Sequence, residues 1–467
     1  EYIIHTRDPA DRPLYKEEHP VTMLSKTALL GAAAGFASVI FAMPAAAQTG
    51  NSLDALAIAQ VAAVQADVVK WRRDIHQHPE LSEQEFRTAK LVADHLRALG
   101  LDVRTGIAVT GVVGILRGGK PGGVVALRAD MDALPVEEQT GLPFASKVKA
   151  MYDGKETHVS HVCGHDANTA MLMGAAKVLA QMKADIPGTV IFVFQPAEEG
   201  TLGSKVSGAE LMLQENLFGD LEPDAMFATH VVPGDPGKLL FRSGGMWAAS
   251  DRIELRLSGK QTHGARPWDG TDIPAMAGSI VQDFAHIAAR QLNVTHAPTV
   301  LTIAAINGGN RFNIIPDNMT LLGTLRTFDP EMRKQAMAKA EASVASAAAR
   351  FGGSAKFIWT APTPAVINDP KLTAAMTDTL RKAAGSAGID NQIDPATGSE
   401  DFSYFSRKYP SIYYNIGIGY PKGTNHSPFF DVLDEGALET GVRAHALTAL
   451  NFLQKVESGE LPRRKRQ

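Results

Sequence analysis

Three strongly apolar runs in this chain each give way to side chains that apolar runs rarely tolerate. Residues 124–129 lead into Asp130-Met131-Asp132, residues 190–194 lead through Gln195-Pro196-Ala197 to Glu198-Glu199, and residues 225–229 stop at His230. Continuous apolar runs this short are strands buried on both faces, the mark of a parallel sheet covered by helices. Helix-period segments alternate with them, at 68–77, 85–99, 170–182 and 209–217. The alternation predicts an α/β domain, and in such sheets ligands gather beyond the carboxyl ends of the strands. Asp130, Asp132, Glu198, Glu199 and His230 all fall at that kind of position.

Two adjacent carboxylates repel each other and resist burial together unless a cation neutralises them. By itself Glu198-Glu199 reads as a solvated turn. The single cysteine shifts that reading. Cys163 has no partner for an internal disulfide, and it lies in His161-Val162-Cys163-Gly164-His165-Asp166, where a loop enters a helical pattern. A Cys and a His two apart can reach one metal centre, and Asp166 can orient an imidazole. If one glutamate binds metal and its neighbour takes a proton from water, the pair becomes half of a hydrolytic site. A net charge of -4 offers no basic footprint, which argues against nucleic acid as a partner.

The pattern changes after Trp247. Strands at 252–257, 300–306, 319–327 and 355–359, with helices at 273–292 and 331–350, read βαββαβ, a small open sandwich inserted as its own domain. Beyond residue 363 the first pattern resumes with a helix at 372–384, a strand at 412–418 and a helix at 435–456. The expected organisation is a discontinuous domain, 51–248 and 362–457, around an insertion at 249–361. Residues 458–467 read as a basic, solvated tail containing Arg463, Arg464, Lys465 and Arg466. Near the N-terminus, Lys26, an apolar stretch at 28–43 and Pro44-Ala45-Ala46-Ala47 form a signal-peptide pattern over 23–47. Cleavage after Ala47 is expected, with export to a periplasm or beyond and no stable membrane anchor after processing. Residues 1–22 read as an upstream extension.

Seven motifs then occur in order: Asp130-Met131-Asp132-Ala133-Leu134-Pro135, Cys163-Gly164-His165-Asp166, Pro196-Ala197-Glu198-Glu199-Gly200, Thr262-His263-Gly264-Ala265-Arg266-Pro267, Phe312-Asn313-Ile314-Ile315-Pro316-Asp317, Gly398-Ser399-Glu400-Asp401-Phe402 and Asn425-His426-Ser427-Pro428. Together they resemble the M20 metallopeptidases, in the branch of amidohydrolases with hippurate hydrolases, auxin-conjugate (IAA-amino acid) hydrolases and N-acetyl-diaminopimelate deacetylases. The resemblance runs from about residue 64 to 452.

The resemblance implies a mixed, largely parallel catalytic sheet covered by helices, with the insertion as a ferredoxin-like α+β lid and dimerisation domain. It implies metal ligation by Cys163, His165, Glu199, His230 and His426, holding two divalent ions, with zinc the default and manganese, cobalt or nickel open. Glu198 is then the general base, and His263, supplied from the lid of a neighbouring subunit, the oxyanion donor of a homodimer. Asp132 and Asp166 would support ligands, and Asn313 would contact substrate. The implied activity is hydrolysis of the amide bond of N-acyl amino acids. A dipeptidase or carboxypeptidase on the same scaffold, and a non-catalytic binding protein for amino-acid conjugates, are the alternatives. Where many relatives carry His after the proline of the lid motif, this chain has Trp268. His76 and His78 read as helix-end residues placed for the dipole.

Overall fold

The computed structural model describes residues 50–464. The expected upstream extension, the signal segment and its cleavage after Ala47 lie outside them.

The central sheet follows the spatial order Asp102–Ile107, Gly111–Arg117, Pro187–Gln195, Lys120–Asp130, Ala225–Val232, Ser411–Gly417, Leu239–Leu240, Ile389–Asp390. Its four middle strands, from Pro187–Gln195 to Ser411–Gly417, run parallel; the first two strands and Leu239–Leu240 join their inner neighbours antiparallel. The run through residue 129 is apolar at nearly every position because both faces are covered. Val125, Leu127 and Ala129 pack into one cluster, Val124 and Ala126 into another. The first cluster is closed by α1 (Gly50–Gln77), α2 (Phe86–Ala98), α3 (His165–Gln181), α7 (Pro370–Ala384) and α9 (Ala437–Glu457), and the second by α4 (Gly208–Gln214) and α8 (Ser403–Lys408).

A second, fully antiparallel sheet has the order Thr299–Asn307, Asn318–Thr327, Ala249–Ser258, Ser354–Thr363. Ile253, Leu255 and Leu257 alternate inward against α5 (Ile273–His286) and α6 (Pro330–Phe351), while Arg252 and Arg256 point out. Both helices start on an aspartate that accepts a first-turn amide: Asp272 from Ala275 at 3.1 Å, Asp329 from Met332 at 2.8 Å. Gly244–Trp247 pairs with Val366–Asn368 where the chain enters and leaves this sheet.

Several boundaries differ from the sequence reading. α1 begins at Gly50, well before residue 68, since its Ala-rich first half buries Ala57, Val61 and Val64. The helix expected over 273–292 ends at His286 and continues as a π-turn, Ile287–Gln291. Asp102–Ile107, Gly111–Arg117 and the hairpin Lys149–Tyr152/Lys155–His158 were not anticipated, because the first and the hairpin are short and largely exposed and the apolar pattern of the second is interrupted by Gly114, which pairs without a break all the same. The tail is not simply solvated: Arg464 donates to Glu222 at 2.7 Å and lies over the Tyr409 ring.

Candidate metal centre

The site forms where the parallel strands end. Lys120–Asp130 delivers Asp130 and Asp132, Pro187–Gln195 delivers the loop with Glu198 and Glu199, and Ala225–Val232 carries His230. Cys163 and His165 sit at the entry to α3. That entry requires glycine: Gly164 has φ 96°, and a Cβ there would meet Val231 Cγ2 at 2.3 Å. His426 lies in a loop with its own φ at 70°, held by its amide donating to the Val162 carbonyl at 2.7 Å. Asn425, quoted in the sequence motif but given no role, donates to the carbonyls of Cys163 at 2.8 Å and Val231 at 3.2 Å, so it ties this loop to the other two.

Ligand-type atoms converge in four overlapping groups, each with its atoms within 4.8 Å of one another: Cys163–His165–His230, Cys163–Glu199–His426, His165–Glu198–Glu199 and the all-acidic Glu198–Glu400–Asp401. Cys163 Sγ is 3.4 Å from His230 Nε2, and His426 Nε2 is 2.9 Å from Glu199 Oε1. The two buried imidazoles are presented alike. His165 Nδ1 donates to Asp132 through its carbonyl at 2.8 Å and its carboxylate at 3.1 Å, and His230 Nδ1 donates to the Val231 carbonyl at 2.8 Å. Each therefore turns Nε2 inward, and His165 Nε2 has no hydrogen-bond partner among the described residues.

The electrostatics fit a cation. Burial, and then repulsion from Glu400, Glu199, Asp401 and Asp132, push the Glu198 carboxyl well above its ordinary range. Burial, and then the charges of Glu199 and Glu198, push the Cys163 thiol up. Burial disfavours a charged His165, yet Asp130, Asp132 and Glu199 overcome it and raise the imidazole to about 10. Burial keeps His230 low and neutral, the form that ligates. Thiolate, imidazole and carboxylate donors around surplus negative charge suit borderline divalent ions.

His263 joins none of the four groups, and Asn313 is its neighbour across a short strand pair. They lie beside the second sheet, where Thr262–His263 pairs with Ile314–Ile315, and His263 is exposed with Nδ1 accepting the Ala265 amide at 2.9 Å. Asp166 supports neither His165 nor His230. It accepts from Arg72 at 2.9 Å and His76 at 2.8 Å. His76 is thus no mere helix-end residue: it is buried between Asp166 and Glu138, the latter at 3.2 Å. Burial opposes its charge, but these carboxylates prevail and hold its pKa at about 8. A folded value above the unfolded ~6.5 contributes stability that is complete below pH ~6.5 and lost as pH rises through about 8, roughly 2 kcal/mol in all. Urea midpoints should fall between pH 6 and 9 in the native protein, and His76→Gln should flatten that fall; equal slopes in the two proteins would refute this assignment.

Sequence reasoning also missed Arg128, which is embedded in the apolar run. It donates to Asp130 at 2.6 Å, Gln195 at 2.9 Å, Glu400 at 3.0 Å and Asp401 at 3.2 Å, all buried. Glu400 and Asp401 are therefore partners of this cation. A lone charged residue inside a run of buried strand residues was the available signal.

A model of peptidase family M20/M25/M40 matches residues 126–451. Thermostable carboxypeptidase 1 of Saccharolobus solfataricus is 38% identical over 83% of this chain and 96% of its own length. IAA-amino acid hydrolase ILR1-like 2 of Arabidopsis thaliana is 35% identical over 84% and 86% respectively. Among solved structures, the Bacillus subtilis YXEP protein, described as a dinuclear metal binding peptidase of the M20 family, superposes with a TM-score of 0.71 at 31% identity, over 84% of this chain and 99% of that one. Likeness of this extent to hydrolases, reaching from the central strand that delivers Asp130 to the last helix, means that the chain belongs to peptidase family M20/M25/M40 and is a hydrolase.

Proposed function

We propose that this protein is an exported, metal-dependent amidohydrolase that cleaves the amide bond of N-acyl amino acids, of hippurate-like, N-acetyl or indole-acyl type. The observation that carries the reading is the overlap of the donor groups: Cys163, His165 and Glu199 are each common to two of them, and Glu198 joins His165 and Glu199 in one and the acidic pair Glu400–Asp401 in another. A binding protein has no need of the second carboxylate, Glu198, beside the ligand-type Glu199. The signal-like segment 23–47 supports export.

Cys163, His165, Glu199, His230 and His426 would hold two divalent ions, zinc by donor type, with manganese, cobalt and nickel compatible. When bound, the ions polarise the scissile carbonyl and acidify the attacking water. Glu198, 4.0 Å from His165 Nε2, accepts the water's proton and returns it to the departing amine. Asp132 fixes the His165 ring through Nδ1, which keeps Nε2 aimed inward. His263 is exposed and outside the donor groups of its own chain, which supports a homodimer in which the short strand pair Thr262–His263/Ile314–Ile315 presents it, with Asn313, to the partner's site.

Metal analysis paired with a substrate screen tests the reading. The expected result is two equivalents of metal per chain, activity lost on chelation and restored by metal, and release of free amino acid from N-acyl amino acids. Full turnover after complete metal removal would overturn the mechanism. The likeness to a thermostable carboxypeptidase favours peptides as a second reading. Preferential cleavage of peptides over every N-acyl amino acid in the screen would select it.

A further inference from the structure

The loop carrying Glu198 and Glu199 has almost no structure of its own. Between the strand Pro187–Gln195 and α4 it is irregular, with Ala197 in the left-handed region at φ 52° and Gly200 at φ 132°. A non-glycine residue keeps such a conformation only where its surroundings impose it. Much of what imposes it comes from one short segment between α1 and α2, more than a hundred positions away in sequence.

Glu85, fully buried, accepts the Ala197 amide at 2.9 Å through Oε1 and the Thr110 hydroxyl at 2.5 Å through Oε2. The Ala197 carbonyl accepts the Gly208 amide at 3.1 Å, so that residue is gripped on both sides. Beyond Glu199, the Glu83 carboxylate gathers successive amides, from Leu202 at 2.9 Å, from Gly203 and from Ser204 at 3.0 Å. In the middle, Asp132 Oδ2 accepts both the Glu199 amide at 3.0 Å and the Ser82 hydroxyl at 2.8 Å. The segment is itself anchored, since the Glu80 carbonyl accepts the Ala133 amide at 2.8 Å. Burying a carboxylate is costly, and Glu85 uses its two acceptor oxygens to fix one peptide of the loop and the hydroxyl of a neighbouring turn.

We propose that Glu85 is a positioning residue for the hydrolysis: it locks the Pro196–Ala197 peptide, one residue ahead of Glu198, so that the base faces the reacting water, and Glu83 is the second anchor beyond Glu199. This rests on the reading of Glu198 as general base. Displacement of a reacting group by about 1 Å costs on the order of 100-fold in rate, which sets the expected effect. Gln at position 85 keeps an acceptor for the Ala197 amide, and the Thr110 hydroxyl can rotate to accept from the new amide.

The test measures kcat, KM, bound metal and amide hydrogen exchange in Glu85→Ala, Glu85→Gln and Glu83→Ala, beside Glu198→Gln. Glu85→Ala should lose on the order of 100-fold in kcat with KM and metal content held, and exchange should quicken at Ala197 while the central strands stay protected. Glu85→Gln should recover most of the rate. Glu83→Ala should quicken exchange at Leu202, Gly203 and Ser204 and lower kcat by on the order of tenfold. Native kcat in Glu85→Ala, or Glu85→Gln as impaired as Glu85→Ala, overturns the proposal. If Glu85→Ala does not fold, the partly exposed Glu83 decides: fast exchange in its loop with native kcat is the overturning result. Sustained turnover by Glu198→Gln would instead overturn the base assignment, whatever the Glu85 variants do.

Discussion

Glu198→Gln should leave the protein folded and its metal content unchanged while kcat falls on the order of 1,000-fold. The substitution is nearly isosteric, and among the described residues the Glu198 side chain makes no hydrogen bond on which a neighbouring element depends. What it removes is the capacity to take a proton. The native carboxyl is surrounded by Glu199, Glu400, Asp401 and Asp132, and burial together with their repulsion raises its proton affinity. Divalent ions beside it would oppose that repulsion, so the charged form needed for proton abstraction depends on the loaded site. The loss should therefore appear in kcat with KM nearly constant, the pattern of an interaction made in the transition state. Activity within tenfold of native at full metal content would rule Glu198 out as the base.

Arg128→Met should cost about 3–5 kcal/mol of stability, read from the urea midpoint. The guanidinium is fully buried and lies between Asp130, Glu400 and Asp401. Methionine fills much of the same volume but leaves those carboxylates buried without a counter-charge. Asp401 is already under strain of this kind: burial lifts its carboxyl to about 7 even with Arg128 opposing the rise. It also accepts the Ala209 amide at 2.9 Å, so its protonation would loosen the start of α4. Adding Glu400→Gln and Asp401→Asn to Arg128→Met should recover part of the loss, because the unpaired charges then disappear. A loss of under about 1 kcal/mol, the size of an exposed ion pair, would show that water reaches this cluster.

Much of the fold was legible because its signals are local. The run ending at Ala129 is apolar on both faces since two clusters claim alternate residues, and the strand Ala249–Ser258 alternates since one of its faces is exposed. That Cys163, His165, Glu198 and Glu199 would come together was legible for a different reason: they are rare neighbours of apolar segments. Glu83 and Glu85 left no comparable trace. They sit at the entrance of α2, where acidic residues are ordinary, and their partners at Ala197 and Leu202 are backbone amides that carry no residue-specific mark. Asp166 was given an imidazole to orient because it follows His165. Its carboxylate instead turns towards α1, to Arg72 and His76, a direction set by packing between helices.

The strand Ser411–Gly417 lies between Ala225–Val232 and Leu239–Leu240, with the whole second sheet intervening in sequence. A ribosome making this chain therefore releases the first half of the central sheet long before the strand that completes it, an interval on the order of ten seconds or more at 5–20 residues per second. Throughout that time the outer edge of Ala225–Val232 offers unpaired backbone groups and apolar side chains to any neighbouring strand. His426 also arrives only after that strand. Until residues 411–426 are made, the chain therefore combines a sticky sheet edge with an incomplete donor set.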